Sequence, residues 1–214
     1  MSTRVHKMSK LIKLPMSSML LAAACWMSFV MMASPVRAVA ASPDEARLLQ
    51  ALRQGGVVIL IRHAQTDPGI GDPPGFLLAD CATQRNLSEG GRDQARRLGR
   101  WFDVNGIRPA SVRASPWCRA RDTATYAFGR FDDWTALSNL LRDRSSQEEH
   151  AAQVGAAIAN VRRGEVDVLV SHGVTIDAFV GVYLQQGEMV AVRPSAGVAA
   201  GMPAVEVVGR LLVP

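Results

Sequence analysis

The spacing of apolar and polar residues changes several times along this chain, and each change predicts an element. Val57-Val58-Ile59-Leu60-Ile61 is an unbroken, largely β-branched run, the pattern of a strand buried on both faces. Val166-Asp167-Val168-Leu169-Val170-Ser171 predicts a second such strand. A helix is predicted over 43–53: Ser42 can cap it, Pro43 suits its first position, Asp44 and Glu45 suit its positive end, and Gly55-Gly56 stops it. From Ser88 to about Asn105, Ala95, Leu98, Trp101 and Phe102 recur at helical spacing. Further helices are predicted over 117–128, 147–161 and 175–185, and short strands over 111–114, 135–137, 187–192 and 204–208. Strands alternating with helices predict an α/β chain, a three-layer α/β/α sandwich with a mostly parallel central sheet. Ligands of such sheets bind beyond the carboxyl ends of the strands.

The segment 66–85, rich in proline and glycine, reads as one long loop. Loops beyond about 12–15 residues are usually functional or disordered. This one follows the first strand directly, so it is expected to wall a substrate site.

Composition changes the picture at the amino terminus. Residues 14–36 carry no charge, preceded by Arg4, Lys7, Lys10 and Lys13 and followed by Arg37-Ala38-Val39-Ala40. A basic start, an apolar middle and an Ala-x-Ala site describe an export signal, residues 1–40, cleaved after Ala40 or, second, after Ala38. The alternatives are an uncleaved membrane anchor, since the stretch is long enough to span, and lipidation at Cys25. The remaining 41–214 is expected to be one domain, periplasmic or otherwise exported, touching a membrane only through an uncleaved leader. The net charge of +5 also resides in the leader. Its five basic residues, taken from 24, leave 19 against 19 acidic ones, so the mature part is formally neutral and attraction to nucleic acid loses its main support.

Beyond the leader the cysteines are Cys81 and Cys118. An even pair in an exported chain favours a disulfide, with two free buried thiols as the alternative. With no other cysteine there, and with His63 and His172 far apart in sequence, the composition argues against a Cys/His zinc site.

The candidate chemistry sits at strand ends. The first strand stops at Arg62-His63-Ala64, the later one at Ser171-His172-Gly173, and between them lies Ser115-Pro116-Trp117-Cys118-Arg119. Two histidines and two arginines at loop mouths suit a phosphoryl pocket. His63 can attack phosphorus through a neutral imidazole nitrogen. Arg62 and Arg119 can bridge phosphoryl oxygens with planar, permanently charged forks, and His172 can donate another hydrogen bond. The arginines supply the positive charge, so no metal and no cofactor is called for. Arg121 reads as a solvated charge and His150, beside Glu148 and Glu149, as a surface residue.

These residues resemble the histidine phosphatase superfamily, the phosphoglycerate mutase-like family. Its Arg-His-Gly stands here as Arg62-His63-Ala64. Its Leu-Ser/Thr-x-x-Gly-x-x-Gln-Ala stands as Leu87 through Ala95, its Ser-x-x-x-Arg-x-x-x-Thr-Ala as Ser115 through Ala124, and its Ser/Thr-His-Gly as Ser171-His172-Gly173. The matches come in family order over about 55–190. The resemblance implies a phosphoglycerate mutase-like fold, a phosphorylated His63, a phosphate pocket of Arg62, Arg119 and His172, and a further phosphate contact at Thr66. It places the general acid near Leu140-Leu141-Arg142-Asp143, with Asp143 the candidate and Asp67 and Asp80 as fallbacks. Ala64 departs from the family glycine and is expected to crowd the backbone beside the phosphate.

The expected function is that of an exported, metal-independent phosphomonoester hydrolase. Its substrate would be a small phosphate ester or a phosphorylated envelope component. The alternative is a non-catalytic phosphate-binding protein of the same fold. Nothing in the sequence sets the oligomeric state.

Overall fold

A computed structural model describes residues 42–141, 144–199 and 202–214. The predicted leader, residues 1–40, and Asp143 lie outside the described residues.

The elements follow in the order α1 (Pro43–Gln54), β1 (Val57–Arg62), α2 (Glu89–Val104), β2 (Ser111–Ala114), α3 (Cys118–Phe128), β3 (Asp132–Asp133), α4 (Gln147–Ala159), β4 (Val166–Ser171), α5 (Gly173–Val180), β5 (Glu188–Ala199) and β6 (Met202–Leu212). They form one six-stranded sheet in the order β3-β2-β4-β1-β5-β6. The first four strands of that order run parallel, and β5 and β6 are antiparallel to their neighbours. The sheet is therefore mixed, with its parallel part on the side that carries the candidate site. On one face, Leu48 and Leu52 of α1, Leu98 and Phe102 of α2, and Ala120 and Ala124 of α3 pack against Val57, Ile59 and Ile61. On the other, Ala151, Val154 and Ile158 of α4 and Ile176 and Phe179 of α5 pack against Val58 and Leu60. Alternate residues of β1 thus feed two cores, which is why its sequence is apolar without a break.

Local chemistry accounts for the helix ends. Ser42 and Ser88 accept hydrogen bonds from the backbone N–H groups of Glu45 and Gly91, capping α1 and α2. Helix α5 is shorter than its apolar sequence predicts. Gly181 takes the left-handed conformation at φ 68° and stops it, leaving 182–187 as irregular chain beside the candidate site. The segment Thr135–Leu137 is a 3₁₀ turn, not the predicted strand: Leu137 and Ser138 donate back to the carbonyls of Trp134 and Thr135. The strand that does form there, β3, consists of two exposed aspartates and offers no apolar signal. The late strands are a hairpin longer than predicted on both arms.

Cys81 and Cys118 are joined in a disulfide. It ties the 66–85 loop to the first residue of α3 across a sequence separation of 37. Loop closure of that length contributes about 4 kcal/mol in the chain-entropy account. Arg121, read as a solvated charge, makes a half-exposed two-pronged pair with Asp133.

Candidate active site

Strand register brings the site together. Arg62 on β1 lies opposite Ser171 on β4, so His63 and His172 are the first residues beyond two neighbouring strands. Their rings meet edge to face with centroids 5.4 Å apart. Beyond β2, on the other side of β4, stands Ser115, whose hydroxyl lies 2.8 Å from His172 Nε2. A cleft of about 320 Å³ opens over this row, lined by Arg62, His63, Arg85, Arg119 and His172 among others.

Each of these side chains is held. His63 is buried, and its Nδ1 lies 2.9 Å from the Ala64 carbonyl oxygen. A carbonyl only accepts, so Nδ1 carries the proton and Nε2 keeps its lone pair for the cleft. Arg62 donates from Nη1 to the Leu184 carbonyl at 2.8 Å and to the Tyr183 hydroxyl at 3.3 Å. A Cβ on Gly173 would fall 3.2 Å from three atoms of that guanidinium, so glycine is what lets Arg62 lie against the start of α5. Arg119, in the first turn of α3, is 1% exposed and donates from both terminal nitrogens to Asp72, at 2.6 and 3.4 Å.

Asp72 is a residue that the motif pattern misses. Its side chain is fully buried, and besides Arg119 it accepts from Trp117 Nε1 at 3.1 Å and from the Arg85 backbone N–H at 3.2 Å. Arg85 is a third arginine in the cleft, anchored by donation from Nη1 to the Gly69 carbonyl at 2.7 Å. Neither has a family motif to announce it. The available signal is charge inside a long Pro/Gly-rich loop, with Arg85 two residues before the Leu87-Ser88 motif.

The Leu87–Ala95 motif proves to be scaffold. A Cβ on Gly91 would come within 1.8 Å of the Gln65 carbonyl oxygen, so the chain leaving His63 crosses α2 in contact with that glycine. Gln94 accepts from the Gln65 N–H and donates to the Gln186 carbonyl, joining the nucleophile loop to the segment after α5. Ala64, expected to crowd the phosphate, instead packs with Leu87 and Ala95 away from the cleft, its N–H donating to Thr123. The Thr66 hydroxyl is not among the lining groups; it accepts from the amide of Gln186, which is. Asp67 and Asp80 stay outside the cleft, the latter capping the turn Cys81–Thr83. Among the described residues no three His, Cys, Asp or Glu side chains gather as metal ligands would.

Electrostatics follow from burial among cations. Burial first, then Arg119 and, less, Arg62 and Arg85 push the His63 imidazole down to about 3, against the opposing bond to Ala64. His172 is held well below its ordinary value by burial, then by His63 and the same arginines. Burial also lowers Arg119, with Asp72 opposing. Both imidazoles are neutral at pH 7.

Between pH 6.5 and about 3 the unfolded chain binds a proton on residue 63 that the folded protein does not, so stability falls as pH drops through that window. From pH 6.5 to 5 the loss from His63 alone should be about 2 kcal/mol. Urea midpoints across that range should show it, and His63→Gln should flatten the slope by about one proton. An unchanged slope would show that His63 is protonated in the folded state.

Residues 58–148 match the family model described as histidine phosphatase superfamily (branch 1). No curated protein matches the chain. Among solved structures, the protein histidine phosphatase SixA complexed with tungstate is similar at TM-score 0.54 and 14% identity, over 73% of this chain and 96% of that one. A mycobacterial glucosyl-3-phosphoglycerate phosphatase with VO3 is similar at TM-score 0.51 and 16% identity, over 71% and 96%. The product of an open reading frame of Mycobacterium tuberculosis is similar at TM-score 0.50 and 19% identity, over 72% and 96%. At these identities the likeness is one of fold. The family model thus matches under half of the chain, residues 58–148, and the solved structures share its fold.

Proposed function

We propose that the chain is an exported, metal-independent phosphomonoester hydrolase working through a phosphohistidine on His63. One observation carries this reading. Among the described residues, Arg62 Nε, Arg85 Nε and Arg119 Nε are buried donors without partners and His172 Nδ1 is a buried ring nitrogen without one, and all four belong to residues lining the cleft with His63. Buried donors are normally satisfied, so a concentration of unpaired ones calls for an acceptor with several oxygens. A phosphoryl group has that form.

In this reading His63 Nε2 attacks phosphorus, an N–P bond forms and the ester P–O bond breaks. The Ser115 hydroxyl donates to His172 Nε2, which sets Nδ1–H as the donor to a phosphoryl oxygen. Arg62, Arg85 and Arg119 take the charge that develops; such fixed donors are worth roughly 10²–10³ in rate each. The departing oxygen takes a proton from an acid, for which Asp143 is the candidate. Water then cleaves the N–P bond and releases inorganic phosphate, with the same group accepting the water proton. The low basicity of His63 supports attack by a neutral imidazole over a wide acidic range. The disulfide supports an oxidising compartment and hence export.

The test is turnover of a chromogenic phosphate ester by the mature protein. Activity should persist in chelator and fall by at least about tenfold in Asp143→Asn, with the larger loss for esters of poorer leaving groups. Activity that disappears in chelator and returns with a divalent cation would contradict the proposal.

A further inference from the structure

The cleft that holds the phosphoryl donors has an apolar mouth. Ile70 is 98% exposed, Leu141 53% and Tyr183 57%, and all three line it. They come from three separate segments: the loop after β1, the chain after the 3₁₀ turn Thr135–Leu137, and the chain after α5. Single exposed apolar residues are ordinary, but these three line one basic cleft.

Ile70 is also held in place. It sits between Gly69 at φ 136° and Gly71 at φ 70°, on a tip pinned at both ends. The Gly69 carbonyl accepts from Arg85, and Asp72 accepts from Arg119 and Trp117. The tip is thus fixed by the phosphate-site arginines themselves. The surface continues past it: a second depression of about 390 Å³ shares Gly69, Ile70, Gly71 and Arg85 with the cleft and adds Pro68, Pro73 and Pro74.

We infer that the substrate carries an apolar body next to its phosphate monoester, and that Ile70, Leu141 and the Tyr183 ring grip it while the arginines hold the phosphoryl group. This rests on the proposed hydrolase and adds the class of leaving group. A sugar phosphate would place hydroxyls against isoleucine and leucine and gain little there. An alkyl or aryl ester would remove apolar surface from water on both partners.

A homologous series separates this from its alternatives. Straight-chain alkyl monophosphates from ethyl to octyl have nearly the same leaving-group basicity, so differences in kcat/KM read contacts along the chain. We expect roughly a twofold gain per methylene, half of what full burial of a methylene would give. Ile70→Ser with Leu141→Ser should remove most of that gain, so that octyl phosphate turns over little faster than ethyl phosphate in the same variant. The matching alkylphosphonates, which are not hydrolysed, should show the same trend in Kd. A flat Kd series overturns the inference whether or not the esters are turned over, as does a trend undiminished in the double variant. A Kd trend without turnover of any ester supports the apolar grip on the bound phosphate compound and overturns the hydrolase. Between sources of the chemistry, turnover of phosphatidic acid in phosphatidylcholine vesicles assigns a lipid, and turnover of dispersed octyl phosphate alone assigns a dissolved ester.

Discussion

His63→Ala should lower kcat for a phosphate monoester by roughly 10⁴–10⁶, because the neighbouring neutral imidazole, His172, has its Nε2 taken by Ser115 and is left with a donor, not a lone pair, for the phosphoryl group. The variant should still bind inorganic phosphate within about tenfold of the parent, since Arg62, Arg85 and Arg119 keep their permanent charge and their anchors. The two readouts must separate. Loss of both would point to a damaged fold, which circular dichroism and the urea midpoint would expose. Full turnover in the variant would remove His63 from the chemistry.

The second large effect concerns Asp72. Asp72→Ala leaves the Arg119 guanidinium buried without its carboxylate and strips acceptors from Trp117 and the Arg85 backbone. Breaking a buried pair by removing one partner costs about 3–5 kcal/mol. Chemical denaturation should show a loss of that order. kcat/KM should fall by at least about tenfold, because Arg119 is then free to turn away from the cleft. Asp72→Ala combined with Arg119→Met should regain stability, since the stranded charge is gone, yet stay inactive. Stability equal to the parent in Asp72→Ala alone would show that the pair contributes nothing and that the loop is held by the disulfide.

How far the sequence speaks differs from one part of the molecule to another. The central strands are legible because β1 and β4 are buried on both faces and can only be written in apolar residues. Their ends are legible because polar residues follow at once, and His63 and His172 stand there. What no local pattern contains is that β1 lies beside β4, and β4 beside β2. That long-range order places His63, His172 and Ser115 in a row, and here the four-motif resemblance stands in for it. Helix α5 and the turn Thr135–Leu137 mislead for opposite reasons. In the first, one left-handed glycine outweighs an apolar run; in the second, the segment turns back on itself and spends its N–H groups on carbonyls three residues earlier. Asp72 and Arg85 stay hidden because nothing in the composition of the 66–85 loop says which charges turn inward. Arg119 and Trp117, the partners of Asp72, come from a segment more than 40 residues later, and Arg85 is held by Gly69 inside the loop itself.

The central claim is a covalent bond between phosphorus and His63 Nε2. Rapid mixing of residues 41–214 with a ³²P-labelled aryl phosphate, quenched in alkali within one turnover, tests it directly. The predicted result is label on His63 that resists base and is lost in acid, present in the parent and absent in His63→Ala. Steady release of inorganic phosphate with no such label at any mixing time, or the same label retained in His63→Ala, would contradict it.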